Sequence, residues 1–329
     1  MRTREPSVTS GMAATPLPGT TVTLSASTAV GQIGIVGVVL DADESTWTIR
    51  RRDGTASTVD VTSITAWRVV PPSRAAWASV EEVESMAALG WRALETARLG
   101  DWLLRSSGGF TARANSALAL GDPGMDAEDA VAMVQEWYAG RGQPARLQVP
   151  DSTLDPQVAR RLDTHGWTRS PEVHVMTAEL GHVLQAADLG AATDLELRLD
   201  PKPDAEWLAC YRQDGGPLPE AARAVLTNHP AVQFASLRSG TQVLAIARVT
   251  VDGRWAGVFG VEVTPAARGR RLGATVTAGA LRWAGQQGAR RTYLQVQQDN
   301  EPALTLYERL GYTRHHGYHY LAEPGANRV

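Results

Sequence analysis

The chain is almost free of lysine and cysteine. Of its 32 basic residues only Lys202 is a lysine, and the others are arginine. Cys210 is the single cysteine, so no intramolecular disulfide and no cysteine-built metal cluster can form. A lone cysteine reads first as a small, inert, half-buried thiol, and this usage suits a reducing cytoplasm. Acidic residues number 35, and the formal net charge is -3. No global basic field therefore exists to recruit nucleic acid or an anionic membrane. No apolar run approaches the roughly 18–20 residues of a membrane span. The two arginines near the N-terminus are not followed by the apolar stretch of a signal peptide.

What is present is an ordinary globular composition, 43% hydrophobic over 329 residues, which suits two or three domains. Residues 1–20 are rich in Thr, Ser, Pro and Gly and read as a disordered tail. Residues 21–72 carry short β-branched runs with turn signals at Asp41–Glu44 and Arg52-Asp53-Gly54. They predict a small all-β barrel of the SH3-like kind, closed by the stiff pair Pro71-Pro72. Residues 79–180 predict helix, two strands (D-W-L-L-R and T-A-R-A-N-S-A-L-A-L), helix, strand, helix, strand. Residues 194–324 repeat that order with more pieces. They end in a helix over Leu272–Gln287, a strand over Thr292–Gln297, a helix over Glu301–Leu310 and a hairpin through Tyr318–Leu321.

Two text matches tie these regions together. A-R-L-Q-V-P-D at 145–151 precedes R-L-D-T-H-G-W at 161–167, and T-Y-L-Q-V-Q-Q at 292–298 precedes L-Y-E-R-L-G-Y at 306–312. Each unit has a tryptophan-bearing helix before its strand, with Trp137 or Trp283, and each ends in glycine plus an aromatic. The shared order predicts an internal duplication.

The segment V-E-V-T-P-A-A-R-G-R-R-L-G-A, Val261 to Ala274, carries the chemistry. It predicts a strand, a short loop and a helix start. The first turn of a helix offers unpaired N–H groups and the positive end of a dipole, and glycine lets an anion approach the backbone. Arg268, Arg270 and Arg271 add charge suited to phosphate. Taken alone, the loop fits an exposed basic helix start equally well. Downstream, N-E-P-A-L-T-L-Y-E-R-L-G-Y at 300–312 makes Asn300 an N-cap and sets Tyr307 beside the core stripe of Ala303, Leu306 and Leu310. A lone helical tyrosine is more often packing than chemistry.

Together these two elements resemble the GNAT superfamily of acyl-CoA N-acyltransferases, over residues 194–324. The whole chain is similar to an actinobacterial acetyltransferase family with an SH3-like module and tandem GNAT-like halves. The resemblance implies an α/β fold with a mixed sheet in two copies. It implies acetyl-CoA as co-substrate, no metal, and a small-molecule or peptide amine as acceptor. It also implies site residues. Backbone groups of Val261 and Val263 would pair with the pantetheine arm and polarise the thioester. Those of Gly269, Arg270, Arg271, Leu272, Gly273 and Ala274, with Arg268 beside them, would hold the diphosphate. Asn300 would contact the pantetheine arm, Tyr307 would protonate the leaving thiolate, and Glu262, Asp299 or a water chain would take the amine proton. Arg271 departs from the family pattern, standing where its first glycine falls. The alternative from another class is an acyl-CoA-binding sensor or scaffold without turnover.

In the first half Leu162 stands where Tyr307 stands, and G-D-P-G-M-D-A-E replaces the arginine loop. Its acids would repel a diphosphate, so residues 79–180 read as a catalytically dead copy. His315, His316 and His319 cluster near the end, but a His-only metal site on a hairpin has little to recommend it. Tyr318 and Tyr320 alternate with His319, which makes that strand face a candidate lining for the acceptor. The run Arg50-Arg51-Arg52 reads as a charged strand end.

Overall fold

The computed structural model describes residues 15–16, 20–28, 31–51, 55–69, 78–151, 153–188, 195–211 and 218–326. The expected tail over 1–20 thus lies outside the described residues except at 15, 16 and 20, and Pro71-Pro72 and Arg52 lie outside them entirely. The chain divides into two compact units, Met1–Trp77 and Ala78–Val329.

The first unit is an antiparallel sheet of five strands: β1 (Thr21–Thr28), β2 (Gly31–Ala42), β3 (Thr46–Arg51), β4 (Ala56–Asp60) and β5 (Ile64–Val69), in the order β4-β3-β2-β1-β5. Alternate residues Val22, Leu24 and Ala26 of β1 meet Ile35, Val39, Trp47 and Ile49 in its core, as the two-residue period of a strand requires. Among the described residues the ladders join β4 and β5 to one neighbour each. The five strands expected as a barrel therefore stand as an open sheet in these ladders.

The second unit begins with α1 (Val80–Gly90), β6 (Glu95–Leu99), β7 (Trp102–Ser106), β8 (Ala117–Leu118), α2 (Ala127–Ala139), β9 (Arg146–Pro150), α3 (Pro156–Thr164), β10 (Thr168–Arg169) and β11 (Val173–Glu179). It continues with α4 (Leu180–Asp188), β12 (Glu196–Asp200), α5 (Ala205–Tyr211), α6 (Glu220–Thr227), β13 (Val232–Ser239), β14 (Gln242–Asp252) and β15 (Trp255–Val263). It ends with α7 (Leu272–Gln286), β16 (Arg291–Gln297), α8 (Glu301–Arg309) and β17 (Thr313–Ala322). All its strands join one twelve-stranded mixed sheet, ordered β12-β13-β14-β15-β16-β11-β17-β9-β8-β7-β6, with β10 against β17.

That order shows an exchange. The last strand of the first half, β11, lies between β16 and β17 of the second half, while β17 pairs with β9 of the first. The registers match. Val173 opposes Gln297 as Tyr318 opposes Pro150, and Val175 opposes Gln295 as Tyr320 opposes Gln148. At the centre Val173 opposes Tyr318 itself. The two L-Q-V segments thus occupy equivalent places.

One face of the sheet carries α4, α7 and α8 over a core that includes Val276, Leu281, Leu294 and Tyr312. The other face meets α1, α5 and α6 through Trp91, Trp207, Phe259, Tyr293 and Tyr318. Two sequence expectations differ from this fold. Most of T-A-R-A-N-S-A-L-A-L is a loop, and only Ala117–Leu118 forms a strand. Asn115 takes the backbone there: its Oδ1 accepts from the N–H groups of Ser107 and Gly109, and its Nδ2 donates to the carbonyls of Phe110 and Thr111. Such bonds compete with a ladder. The terminal hairpin is instead the single strand β17, because both its edges are already paired, to β11 and β9.

Candidate active site

Strand β15 makes the site by leaving its neighbour. It runs parallel to β16 from Trp255↔Arg291 to Val258↔Leu294, and no pairing continues beyond. On its other edge the register with β14 shifts between Ile246 and Arg248, a bulge that bends the strand. Gly260 sits in this bend at φ 55°, and a Cβ there would meet the Tyr211 ring at 2.9 Å. Only glycine serves both the left-handed turn and the ring above it. The strand's last residues, Val261 to Val263, therefore present one edge to an open wedge, as an edge strand presents unpaired polar groups.

The wedge ends at the mouth of α7. A 3-10 turn, Pro265–Ala267, leads into Arg268–Arg271. Among the described residues the N–H groups of Gly269, Arg270, Arg271, Leu272 and Gly273 find no acceptor in the protein. The cap residue Arg271 makes no side-chain cap bond and adopts φ 60°, ψ 13°. That left-handed conformation costs an ordinary residue on the order of 1–2 kcal/mol. Arg271 thus holds a left-handed backbone shape that glycine takes without strain. The side chains of Arg268, Arg270 and Arg271 are exposed, whereas Leu272 and Gly273 are buried and can offer only backbone. A Cβ on Gly273 would stand 3.0 Å from Leu306, so this glycine lets α7 approach α8. Ala274 follows, half-buried against the same core. These groups fit a diphosphate at a helix N-terminus.

Helix α8 flanks the wedge. Asn300 is its N-cap, with its side chain accepting from the Ala303 N–H at 3.2 Å. Tyr307 is 8% exposed and packs edge-on against Tyr312 at 5.8 Å. Its hydroxyl has no hydrogen-bond partner among the described residues. Burial, and then the charge of Glu262, push the Tyr307 phenol well above its ordinary range. The same two causes push the Cys210 thiol up to about 11, which keeps it a neutral, unreactive thiol. Half-buried Glu262 thus stands within electrostatic reach of both. Asp299 is exposed in the turn before α8.

The opposite face of the wedge holds groups that sequence reading missed. Trp91 packs on Phe259 with ring centroids 5.2 Å apart. Two guanidinium groups lie over this pair: Arg248 at 5.0 and 5.2 Å, Arg113 at 5.5 and 5.7 Å. Arg248 is fully buried, donates to the carbonyls of Leu226 and Gly90, and is pulled down to about 9 by burial. Tyr318 and Tyr320, singled out for their alternation, are buried on this face with hydroxyls 3.4 Å apart. The only sequence signal for Arg248 was an arginine inside the apolar run V-L-A-I-A-R-V-T-V, a charge with no place in a core unless bonded. Two of the three clustered histidines meet each other, His315 Nδ1 lying 2.8 Å from His316 Nδ1, while their far nitrogens bond the Ala78 carbonyl at 3.0 Å and Glu84 at 2.9 Å; His319 bonds Arg169 at 2.9 Å. Among the described residues no group of three or more His, Cys, Asp or Glu could hold a metal, and no helix is long and apolar enough to cross a membrane. A separate cavity of about 510 Å³, lined by Glu82, Met86, Asp252 and Trp255 among others, lies at the opposite end of β15 and takes no part in this geometry.

Comparison with known proteins agrees with the fold. The family described as "Probable histone acetyltransferase Rv0428c C-terminal" matches residues 77–321. The uncharacterised N-acetyltransferase YobR of Bacillus subtilis is 25% identical over 250 residues, covering 73% of this chain and 97% of that protein. A mycothiol acetyltransferase of Amycolatopsis mediterranei is 45% identical over 58 residues, only 18% of this chain and 19% of that one. Among solved structures, a GCN5-related N-acetyltransferase from Kribbella flavida aligns at TM-score 0.57 and 20% identity, over 75% of this chain and 95% of its own. A tandem GNAT protein from the clavulanic acid pathway aligns at TM-score 0.51 and 16% identity, over 79% and 90%.

Proposed function

The chain belongs to that acetyltransferase family and is an acyltransferase, and on that premise we propose that it moves an acetyl group from acetyl-CoA to an amine by direct attack. The observation that carries this is the wedge: β15 quits β16 after Val258↔Leu294 and delivers its free edge to a helix mouth lined with unpaired N–H groups. Backbone groups of Val261 and Val263 take the pantetheine arm in the manner of an added strand. The mouth from Arg268 to Ala274 takes the diphosphate. Asn300 has its side-chain oxygen engaged in the cap, which leaves its amide N–H groups for the arm.

The chemistry needs a proton given and a proton taken. The amine nitrogen bonds to the thioester carbon, the C–S bond breaks, and the thiolate takes the proton of the Tyr307 hydroxyl. Burial keeps the Tyr307 phenol protonated across the physiological range, so its proton is in place where the thiolate forms. Half-buried Glu262 takes the proton the amine loses; exposed Asp299 has no such shelter. Proximity supplies much of the rate, and no covalent enzyme intermediate is required. The acceptor is a small-molecule or peptide amine. The first half serves as a non-catalytic copy that shapes the acceptor side, the two halves being products of duplication. The five-stranded unit is an accessory module, and the protein works in the cytoplasm.

The test is release of coenzyme A from acetyl-CoA with a panel of primary amines, run beside the Tyr307→Phe variant. Turnover in the variant falls by roughly 10²–10⁴-fold, the usual contribution of a general acid. Acetyl-CoA affinity, read by calorimetry, stays within threefold, because the hydroxyl acts as charge develops on sulfur. Full turnover in the variant would remove Tyr307 from the chemistry. Acetyl-CoA binding without turnover by the wild type on any amine would favour a sensor instead.

A further inference from the structure

The duplicated L-Q-V strands place two glutamines in equivalent positions with opposite fates. Gln148 of β9 is fully buried and fully used: its Nε2 donates to Glu84 Oε2 at 2.7 Å, and its Oε1 accepts from Arg105 Nη2 at 2.8 Å. Gln295 of β16 has both carboxamide atoms buried and neither bonded among the described residues. Other side chains leave one such atom unpartnered, as Gln233 does; Gln295 leaves both ends. A buried amide that has lost water and gained nothing is costly, so its persistence calls for a use.

Its position indicates the use. Leu294 forms the last pair between β16 and β15, and Gln295 is the next residue, at the apex of the wedge. Side chains alternate along a strand. Leu294 and Val296 belong to the core under α7, and Tyr293 to the core under α1. Gln295 therefore shares the face of Tyr293. Across the ladders it stands beside Val175 and then His316, on the side where Trp91 and Arg113 from the first half cover Phe259. Tyr307 works from the opposite face, under α7 and α8.

We propose that the Gln295 carboxamide is a catalytic group that grips the tetrahedral adduct of acetyl transfer. This rests on the acetyl-transfer reading above. As the amine nitrogen adds to the thioester carbon, the C–N bond forms and the carbonyl π pair moves onto oxygen. Nε2 donates to that oxygen, and Oε1 accepts from an N–H of the added nitrogen. The adduct carries its oxygen and nitrogen on one carbon, as a carboxamide does, so the two edges match as a pair of parallel bonds. The adduct then collapses, the C–S bond breaks, and the thiolate takes its proton from Tyr307. Gln295 gains and loses no proton.

The experiment uses the full chain as wild type, Gln295→Leu, Gln295→Glu and Gln148→Leu. Three quantities are read: melting temperature without ligand, acetyl-CoA affinity by calorimetry, and coenzyme A release with an amino sugar, a polyamine and a peptide N-terminus as probes. Gln295→Leu melts no lower than wild type, since it removes an unpaired buried amide. It binds acetyl-CoA within threefold, and its turnover falls about 10²–10³-fold, the loss expected for one oxyanion donor. Gln295→Glu keeps the shape, lacks the donor and falls at least as far. Gln148→Leu melts lower, because it takes the donor from buried Glu84 Oε2 and one acceptor from buried Arg105, which keep only His316 and Ser116. Wild-type turnover in Gln295→Leu overturns the proposal, and so does a melting loss equal to that of Gln148→Leu, which would make the amide structural. A wild type that itself acetylates none of the probes overturns the acetyl-transfer reading, and this inference with it, a result recognisable because no variant is needed to see it.

Discussion

The mouths of α2 and α7 occupy equivalent places in the two halves and differ in what fills them. At α2 the chain supplies its own anion: the Asp126 carboxylate accepts from the N–H groups of Glu128 and Asp129, and those two residues make the first turn acidic. At α7 the cap residue is Arg271, no side chain caps the turn, and no acid enters it. The strands before them differ in the same sense. Beyond the β8–β9 pairing, the Ala119 N–H donates to the Gln148 carbonyl at 3.0 Å and the Thr153 hydroxyl donates to the Ala119 carbonyl at 3.1 Å. The first half thus stitches its own wedge shut. In the second half the equivalent edge is left open. One frame thus gives a half whose backbone groups find partners inside the protein and a half whose corresponding groups do not.

The most forceful way to break this comparison is to give α7 the charge of α2. Arg271→Asp keeps a residue type that tolerates the left-handed conformation. It also swings the charge at the mouth by two units. One charge-assisted hydrogen bond contributes about 1.5–3 kcal/mol, so the acetyl-CoA Kd should rise about 10–100-fold by calorimetry. The melting temperature should hold or rise, because an acid suits a helix N-terminus. Unchanged affinity would mean that the diphosphate lies elsewhere.

The reciprocal change acts on stability. Asp126→Ala removes a cap that satisfies two N–H groups and should cost about 0.5–2 kcal/mol in denaturant unfolding. Acetyl-CoA should still bind once per chain, since the stitched wedge remains. A second equivalent of bound acetyl-CoA in this variant would show that Asp126 alone masks a second site.

Much of this was legible in sequence, and the illegible part has a physical cause. Helices α7 and α8 and the strand between them follow from periodicity, the Asn300 cap and the glycine stop at Gly311, all local signals. The L-Q-V match located equivalent strands correctly. Nothing local announces that β11 and β17 change places, because exchange depends on pairing between residues more than a hundred positions apart. The loop from Thr111 to Ser116 looked like a strand because its composition is apolar and alternating; the four bonds of Asn115 decide otherwise. Gln295 was visible only as a letter of the repeat. Its meaning appears when the other glutamine is seen with Glu84 and Arg105.

The exchanged strands offer the finest test of the comparison. His174 of β11 and His319 of β17 hold matching register positions, opposite Val296 and Val149. Their neighbours differ: His174 lies 3.5 Å from Glu172, whereas His319 Nδ1 lies 2.9 Å from the Arg169 guanidinium. Burial first, and then Arg169, pull His319 down to about 4. Arginine cannot accept a proton, so the bond requires neutral His319 with Nδ1 as acceptor. The sign follows. A histidine whose folded pKa lies below its unfolded value near 6.5 binds fewer protons folded than unfolded. Its contribution is therefore complete above about pH 6.5 and is lost as pH falls toward 4. With screening at this half-buried site the loss should be on the order of 1 kcal/mol. His319→Asn keeps an acceptor for Arg169 and cannot titrate, so its stability should decline less than that of wild type across this window. Urea unfolding at pH 7.5, 6 and 4.5 reads the difference. Parallel pH curves for the two proteins would show that His319 is no more perturbed than a surface histidine, and that the exchanged strands differ in sequence without differing in electrostatics.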